Sequence, residues 1–255
     1  MSARHSDLID QFTGAQLGAD LARVPCARPT VVESALRLRP EVSYSYVHAL
    51  WWLWLTDGRS VVSVPPGAGP AVEPIVAGVA SCEQLADSAL AERLITPVSE
   101  TLSAAGIRPV DGTHNSIVFA CDGALLRRHD PGACVRLADP DMSVAEGIWF
   151  PAHCLPDGVA YGVVADGRLV SVAYAHRTGL LEDCVADVGV ETSPAYRRRG
   201  YARACVASVV AEMASRGGQA RYSCSPGNAA SIATARSVGF APYATSLVLT
   251  APGQG

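Results

Sequence analysis

The sequence has little of what would mark it as a nucleic-acid-binding or membrane protein. Its 255 residues include only 17% charged and 6% aromatic residues, and the formal net charge is −4. A weakly acidic chain has no general attraction for nucleic acid, so we expect no nucleic-acid partner. The tryptophan-rich run 49–55 is apolar over seven residues, whereas a helix needs about 20 to cross a bilayer. We therefore expect no membrane partner.

Three motifs of nucleotide and ester chemistry are also missing. The chain has no G-x-x-x-x-G-K-[ST], no G-x-G-x-x-G after a predicted strand and no G-x-S-x-G. These patterns build, in turn, the phosphate loop of nucleotidases, the dinucleotide site of Rossmann folds and the nucleophile elbow of serine hydrolases. Their absence argues against all three classes of enzyme.

The eight cysteines form no C-x-x-C pair, and residues 1–5 do not resemble a secretory leader. We therefore expect a cytoplasmic protein with free thiols, most of them small buried hydrophobic groups. His129, Cys134, His153 and Cys154 are the conceivable zinc ligands. Their spacing matches no zinc pattern, so we predict no metal site.

Residues 188–202 are the segment richest in chemical information. They contain an apolar strand, a turn with a proline, three consecutive arginines, a glycine and the start of a helix. The first amides of a helix have no partner within the helix, and the helix dipole favours an anion there. The segment is therefore either an anion site or an ordinary surface turn with solvated arginines.

The spacing Arg197-x-x-Gly200-x-Ala202 resembles the pyrophosphate signature Q/R-x-x-G-x-G/A of the GCN5-related N-acetyltransferases (GNAT). Downstream, 228–231 (Asn-Ala-Ala-Ser) and 238–240 (Val-Gly-Phe) are similar to that family's second signature, N-x-x-A/S before a helix that closes on L-G-F/Y. The two signatures stand in the family's order and separation. The resemblance covers about residues 133–250.

The predicted elements agree with this resemblance. A hairpin at 159–165 and 168–176 precedes a cofactor strand at 184–192, and a short strand, a helix at 229–238 and a final strand follow the signature helix. The resemblance implies an α/β (α+β) fold with a mixed, mostly antiparallel central sheet flanked by helices. We predict a GNAT domain at 131–255 and an accessory or cap domain at 1–130, which is either a degenerate copy of the fold or a cover for the acceptor site.

The accessory part is predicted from local patterns alone. A tight turn at 57–58 joins two strands into a hairpin, and residues 81–94 and 98–105 have helical patterns on either side of Pro97. The three tryptophans of the hairpin are either buried strand residues or the wall of a ligand site. No motif here indicates chemistry.

The resemblance implies acetyl-coenzyme A as cofactor and assigns residues to it. Main-chain N–H groups of the cofactor strand would bind the thioester and pantetheine, and those of residues 198–203 would bind the pyrophosphate. Asn228 would contact the pantetheine arm, although an asparagine before a helix is also an ordinary cap. The predicted cofactor-binding residues are Val190, Glu191, Thr192, Arg197, Arg198, Arg199, Gly200, Tyr201, Ala202, Arg203, Asn228 and Ser231.

A base is needed to deprotonate the acceptor amine. Glu191 is the first candidate and Asp187 the second, with Asp183 just before the strand. Alternation places Asp187 and Glu191 on one face of the strand. The alternative is that these carboxylates face solvent or pair with an arginine.

The general acid is where the chain departs from the family. Many members have a tyrosine seven residues after the asparagine, and this position is Ala235 here. At the end of the preceding strand, Ser223, Cys224 and Ser225 are candidates by location, and Tyr222 is expected on the opposite face. Solvent could also protonate the thiolate of coenzyme A.

The sequence thus predicts an N-acetyltransferase that moves an acetyl group from acetyl-coenzyme A directly to a primary amine of a small molecule. A coenzyme A-binding regulatory module with weak or no turnover and a protein or peptide N-acetyltransferase remain as alternatives. We expect a monomer or a homodimer.

Overall fold

The structure is a computed structural model that describes residues 7–26, 28–40, 46–121, 126, 134–138, 142–149, 158–176 and 184–253. Within these ranges lie five α-helices: α1 (Asp7–Leu17), α2 (Gly69–Val76), α3 (Ser88–Ala104), α4 (Tyr201–Ser215) and α5 (Ala229–Val238). The strands there are β1 (Thr30–Glu33), β2 (Tyr46–Leu55), β3 (Ser60–Val64), β4 (Gly112–Cys121), β5 (Cys134–Arg136), β6 (Ala160–Ala165), β7 (Arg168–His176), β8 (Val185–Thr192), β9 (Gln219–Cys224) and β10 (Ala241–Pro252).

The predicted fold class is confirmed: the protein is a mixed α/β structure whose strands pair mostly antiparallel and are flanked by helices. Both predicted hairpins form, as β2–β3 and β6–β7. The helical prediction around Pro97 needs correction. Residues 82–86 form a 3₁₀ turn, and α3 continues through Pro97 as one helix to Ala104.

The chain divides into two compact units. The first unit comprises residues 1–118 and 242–255, and the second comprises residues 119–241. The predicted domain boundary at 130/131 lies outside the described residues, so the division into 1–130 and 131–255 stays a prediction. Among the residues considered as zinc ligands, only Cys134 lies in the described part of the chain.

The strands of the first unit follow the order β1-β3-β2-β10-β4. Its core contains the fully buried Trp52 together with apolar residues of β3, β10, α2 and α3. The Trp52 indole N–H donates to Ser60 Oγ at 2.8 Å, and that of Trp51 donates to Ser246 Oγ at 3.1 Å. Trp51 and Trp52 are therefore core residues with internal hydrogen-bond partners.

The strands of the second unit follow the order β9-β8-β7-β6-β5. β8 pairs antiparallel with β7 and parallel with β9. Helix α4 packs on β6, β7 and β8 through a buried face that includes Val206, Val209 and Val210, and α5 packs against α4 and β9. In the described part of the chain, no helix is long and apolar enough to span a membrane.

Candidate functional site

Strands β8 and β9 separate halfway along their length. Their parallel register contains three residue pairs and ends at Asp187 and Arg221. Beyond that pair, β8 continues to Thr192 and β9 to Cys224 without further pairing between these described segments. The separation opens a gap in which the edge of β8 faces no strand.

The direction of the β8 amides follows from its register with β7. The N–H of Ser193 donates to Val170 O at 3.0 Å, so odd-numbered residues of β8 turn their amides towards β7. Glu191, opposite Val172, therefore directs its N–H into the β7 ladder. Val190 and Thr192 direct their N–H groups into the gap, where a ligand can accept from them.

The N-terminus of α4 is the second source of main-chain donors. Gly200 precedes the helix with φ of +81°, in the left-handed region that favours glycine, and no side chain in the described residues caps this end. A Cβ built on Gly200 would have no described atom within 4 Å. The first helical amides belong to residues 201–203, which line a cavity.

One cavity of about 710 Å³ joins the gap to the start of α4. It is lined by every predicted cofactor-binding residue except Arg199, and also by Gly147, Tyr196, Tyr222, Ala230 and Thr234. The sequence pattern therefore located this cavity, although it did not identify these last five residues.

Positive charge lies along the same cavity. Arg197, Arg198 and Arg203 line it, and Arg197 Nε also donates to Thr192 O at 3.3 Å. Arg199 instead places its guanidinium over the ring of Tyr196, 5.0 Å from the centroid. Three cations and a free helix N-terminus at one site favour a ligand with several negative charges.

Asn228 is the N-cap of α5. Its Oδ1 accepts a hydrogen bond from Ser231 N at 3.1 Å, which is the ordinary capping role. Asn228 also lines the cavity. The cap and the predicted contact with a bound arm are therefore compatible, and the contact stays a prediction.

Glu191 lies at the edge of the cavity with its carboxylate held in place. Oε2 accepts a hydrogen bond from the main-chain N–H of Trp149 at 2.6 Å. The Trp149 side chain is half exposed and stacks edge-on against Tyr174, with ring centroids 6.1 Å apart. A carboxylate fixed beside an exposed indole suits an ammonium group, because both attract a cation.

Asp187 has a different environment from Glu191. Its two oxygens accept from Arg221 Nε at 2.9 Å and Nη2 at 2.7 Å, and the Arg221 side chain is 2% exposed. Asp187 is not among the residues that line the cavity. It thus forms the arginine pair that the sequence left open as an alternative, while Asp183 lies outside the described residues.

The expectation for Tyr222 was wrong. Tyr222 lines the cavity, whereas Ser223, Cys224 and Ser225 do not. The ring packs 5.7 Å from that of Phe240, and burial raises the pKa of the phenol, partly offset by a hydrogen bond with Ser231. The sequence did not show which face of β9 α5 covers.

Comparisons with known proteins match part of the chain. Residues 152–245 match the family model of the GNAT acetyltransferases. No curated protein matches the chain.

Solved structures similar to the chain include an acetyltransferase of the GNAT family from Novosphingobium aromaticivorans, with 28% identity, a TM-score of 0.46 and coverage of 57% of this chain and 67% of that chain. A second, from Colwellia psychrerythraea, has 16% identity, a TM-score of 0.43 and coverage of 56% and 58%. A GCN5-related N-acetyltransferase from Kribbella flavida has 21% identity, a TM-score of 0.40 and coverage of 56% and 61%. The chain thus spans 58–67% of the length of these structures.

Proposed function

We propose that this chain, whose residues 152–245 match the family model of the GNAT acetyltransferases, transfers the acetyl group of acetyl-coenzyme A to a primary amine of a small molecule. One observation supports this most strongly. The β8–β9 gap, the uncapped start of α4 and three arginines line the same 710 Å³ cavity.

The α4 end of the cavity suits the pyrophosphate of coenzyme A. The amides of residues 201–203 would donate to its oxygens, and Arg197, Arg198 and Arg203 would offset its charge. Because Gly200 has no side chain, the phosphate could approach the backbone closely at that point. The pantetheine arm would then extend past Asn228 and Ser231 into the gap.

The gap suits the thioester. The N–H groups of Val190 and Thr192 would bind the arm and the acetyl carbonyl, whose oxygen gains negative charge when the amine attacks. A donor in such a position has been worth about 3 kcal/mol in other enzymes. Acetyl-coenzyme A supplies the activated thioester carbonyl.

Glu191 would accept the proton of the amine, directly or through one water molecule. The neutral nitrogen would then bond to the acetyl carbon and lose its second proton to solvent. The carbon–sulfur bond would break, and the thiolate would leave with the electron pair. Asp187, predicted as the second candidate base, would contribute by holding Arg221 instead. Trp149 would pack against the carbon chain of the acceptor or against its ammonium.

Other parts of the proposal rest on the sequence alone. Residues 1–130 would form the accessory or cap domain, the protein would act in the cytoplasm, and it would be a monomer or a homodimer. The absence of a tyrosine at position 235 favours the alternative of a coenzyme A-binding module without turnover.

Thiol release from acetyl-coenzyme A, measured with a panel of small amines and lysine-containing peptides, tests the proposal. Sustained release that depends on a small amine supports it. Release only with peptides identifies a peptide acetyltransferase. Tight binding of coenzyme A by calorimetry with no release for any amine identifies the regulatory module.

A further inference from the structure

The tyrosine that lines the cavity from β9 has no role in the steps above. We propose that Tyr222 donates the proton that the coenzyme A thiolate takes up as it leaves. This inference rests on the proposed acetyl transfer. It assigns the general acid of that reaction to a tyrosine on strand β9, whereas the family resemblance implies a tyrosine on helix α5.

The position of Tyr222 along β9 supports this role. The last residue pair between β8 and β9 is Asp187 with Arg221, so Tyr222 is the first residue of β9 beyond the point of separation. Across the gap lie the amides of Val190 and Thr192, which also line the cavity. A thioester held by these amides would therefore lie between β8 and the part of β9 that begins with Tyr222.

The proposed acid, Tyr222, and the proposed base, Glu191, lie on opposite faces of strands β9 and β8. Asp187 and Glu191 share one face of β8, and Arg221 shares that face because it pairs with Asp187. Tyr222 lies on the opposite face of β9, where α5 packs. The amine would thus approach from the side of Glu191, and the thiolate would leave towards Tyr222.

Helix α5 explains how one tyrosine replaces another. Ser231 and Ala235 are four residues apart on α5 and share a face of that helix. Ala235 is completely buried, and the side chain of Ser231 lowers the pKa of the Tyr222 phenol, so these two side chains are neighbours. Tyr222 would thus supply from the strand the phenol that family members carry on this face of the helix, where this chain has Ala235.

The protonation state fits the role. Burial raises the pKa of Tyr222, and the titratable group that acts on it electrostatically is Cys224, whose thiol pKa is also raised by burial. The phenol is therefore protonated near neutral pH. Its O–H would donate to the sulfur as the carbon–sulfur bond breaks, the proton would pass to sulfur, and solvent would return a proton to the phenolate.

Tyr222→Phe tests the inference, because it removes the hydroxyl and retains the ring that packs on Phe240. The measurement is the single-turnover rate of thiol appearance with enzyme in excess, which isolates the acyl-transfer step. General acids of this kind contribute about 100-fold or more, so we expect a fall of at least about tenfold with an unchanged Kd for coenzyme A.

Tyr161→Phe is the matched control. Tyr161 is a partly buried tyrosine of β6 near Glu212, and burial raises its pKa too, but it does not line the cavity. Its variant should transfer acetyl at the wild-type rate. The phenylalanine variants should have similar melting temperatures and circular dichroism spectra.

Each outcome has a distinct meaning. A Tyr222→Phe enzyme that binds coenzyme A normally and transfers acetyl within twofold of wild type overturns the role of Tyr222 but leaves the proposed function intact. A wild-type enzyme that releases no thiol with any amine overturns both. A large fall in the rate with normal binding, absent in Tyr161→Phe, supports the inference.

Discussion

The two units use strand pairing in opposite ways. In the first unit, β2 pairs with β10 over nine residue pairs, from Leu55 to Tyr46, and with β3 along its other edge. In the second unit, β8 and β9 form three pairs and then separate. Complete pairing satisfies the main chain within the protein, whereas separation leaves donors available to a ligand.

Polar side chains also differ between the two units: those of the first unit bind one another, and those of the second unit include residues that line a cavity. In the first unit, Tyr243 donates its hydroxyl to Asp10 at 2.9 Å, and Arg59 binds Asp10 and Asp57. In the second unit, Tyr222 and Glu191 line a cavity. The comparison shows that aromatic and charged residues mark a site only where strands leave room beside them.

The largest effect on stability is expected in the core of the first unit. Trp52→Ala removes a fully buried indole, and substitutions of this kind cost about 3–5 kcal/mol of unfolding free energy. Denaturant unfolding measures this loss. We expect the folded variant to bind coenzyme A with wild-type affinity, and a changed Kd would contradict the assignment of Trp52 to a purely structural role.

Asp187→Asn should have the next largest effect, because it removes the negative charge that faces the buried Arg221 guanidinium. Breaking a buried ion pair in this way lowers the free energy of unfolding by about 3 kcal/mol or more. The loss should be smaller here because the Asp187 side chain is partly exposed to solvent. The exposed pair Arg23–Asp20 of the first unit provides the control, since Asp20→Asn should cost well under about 1 kcal/mol. Equal losses in the two variants would contradict this account.

Glu191→Gln should affect the chemistry and leave the fold unchanged. The amide can still accept from the Trp149 N–H but cannot take up a proton. A general base contributes about 100-fold or more, so the single-turnover rate should fall by about that factor with normal melting temperature and coenzyme A affinity. A rate near that of wild type would show that Glu191 is not the general base.

Gly200→Ala should have the smallest of these effects. The φ of +81° disfavours alanine, and the added methyl group would enter the space assigned to the pyrophosphate. We expect a Kd for coenzyme A about tenfold higher, or about 1.4 kcal/mol.

Gly217→Ala, at the other end of α4, is its matched control. Gly217 has φ of +75° and, like Gly200, no described atom within 4 Å of a built Cβ. Both variants should lose similar stability, but Gly217→Ala should bind coenzyme A normally. Equal binding by the two variants would count against a phosphate site at Gly200.

Local patterns were sufficient to predict much of the second unit. Alternating apolar residues around the Asp166-Gly167 turn predicted the β6–β7 hairpin, and Gly200 before an apolar-periodic run predicted the start of α4. The same logic failed at Pro97. Proline disfavours a helix interior, yet α3 continues through it with Leu94 and Val98 fully buried on either side, since tertiary packing can offset that cost.

The sequence by itself determined the types of elements, their order, and the segment of arginines and glycine before α4, because these follow from spacing and backbone preference over a few neighbouring residues. Only the tertiary structure decided that β8 and β9 separate after Asp187, that β10 belongs to the first unit, and that Tyr222 and not Ser223 lines the cavity. These outcomes depend on which distant segments of the chain pack on each strand. Side chains alternate between the two faces of a strand, and this alternation does not show which face a helix will cover.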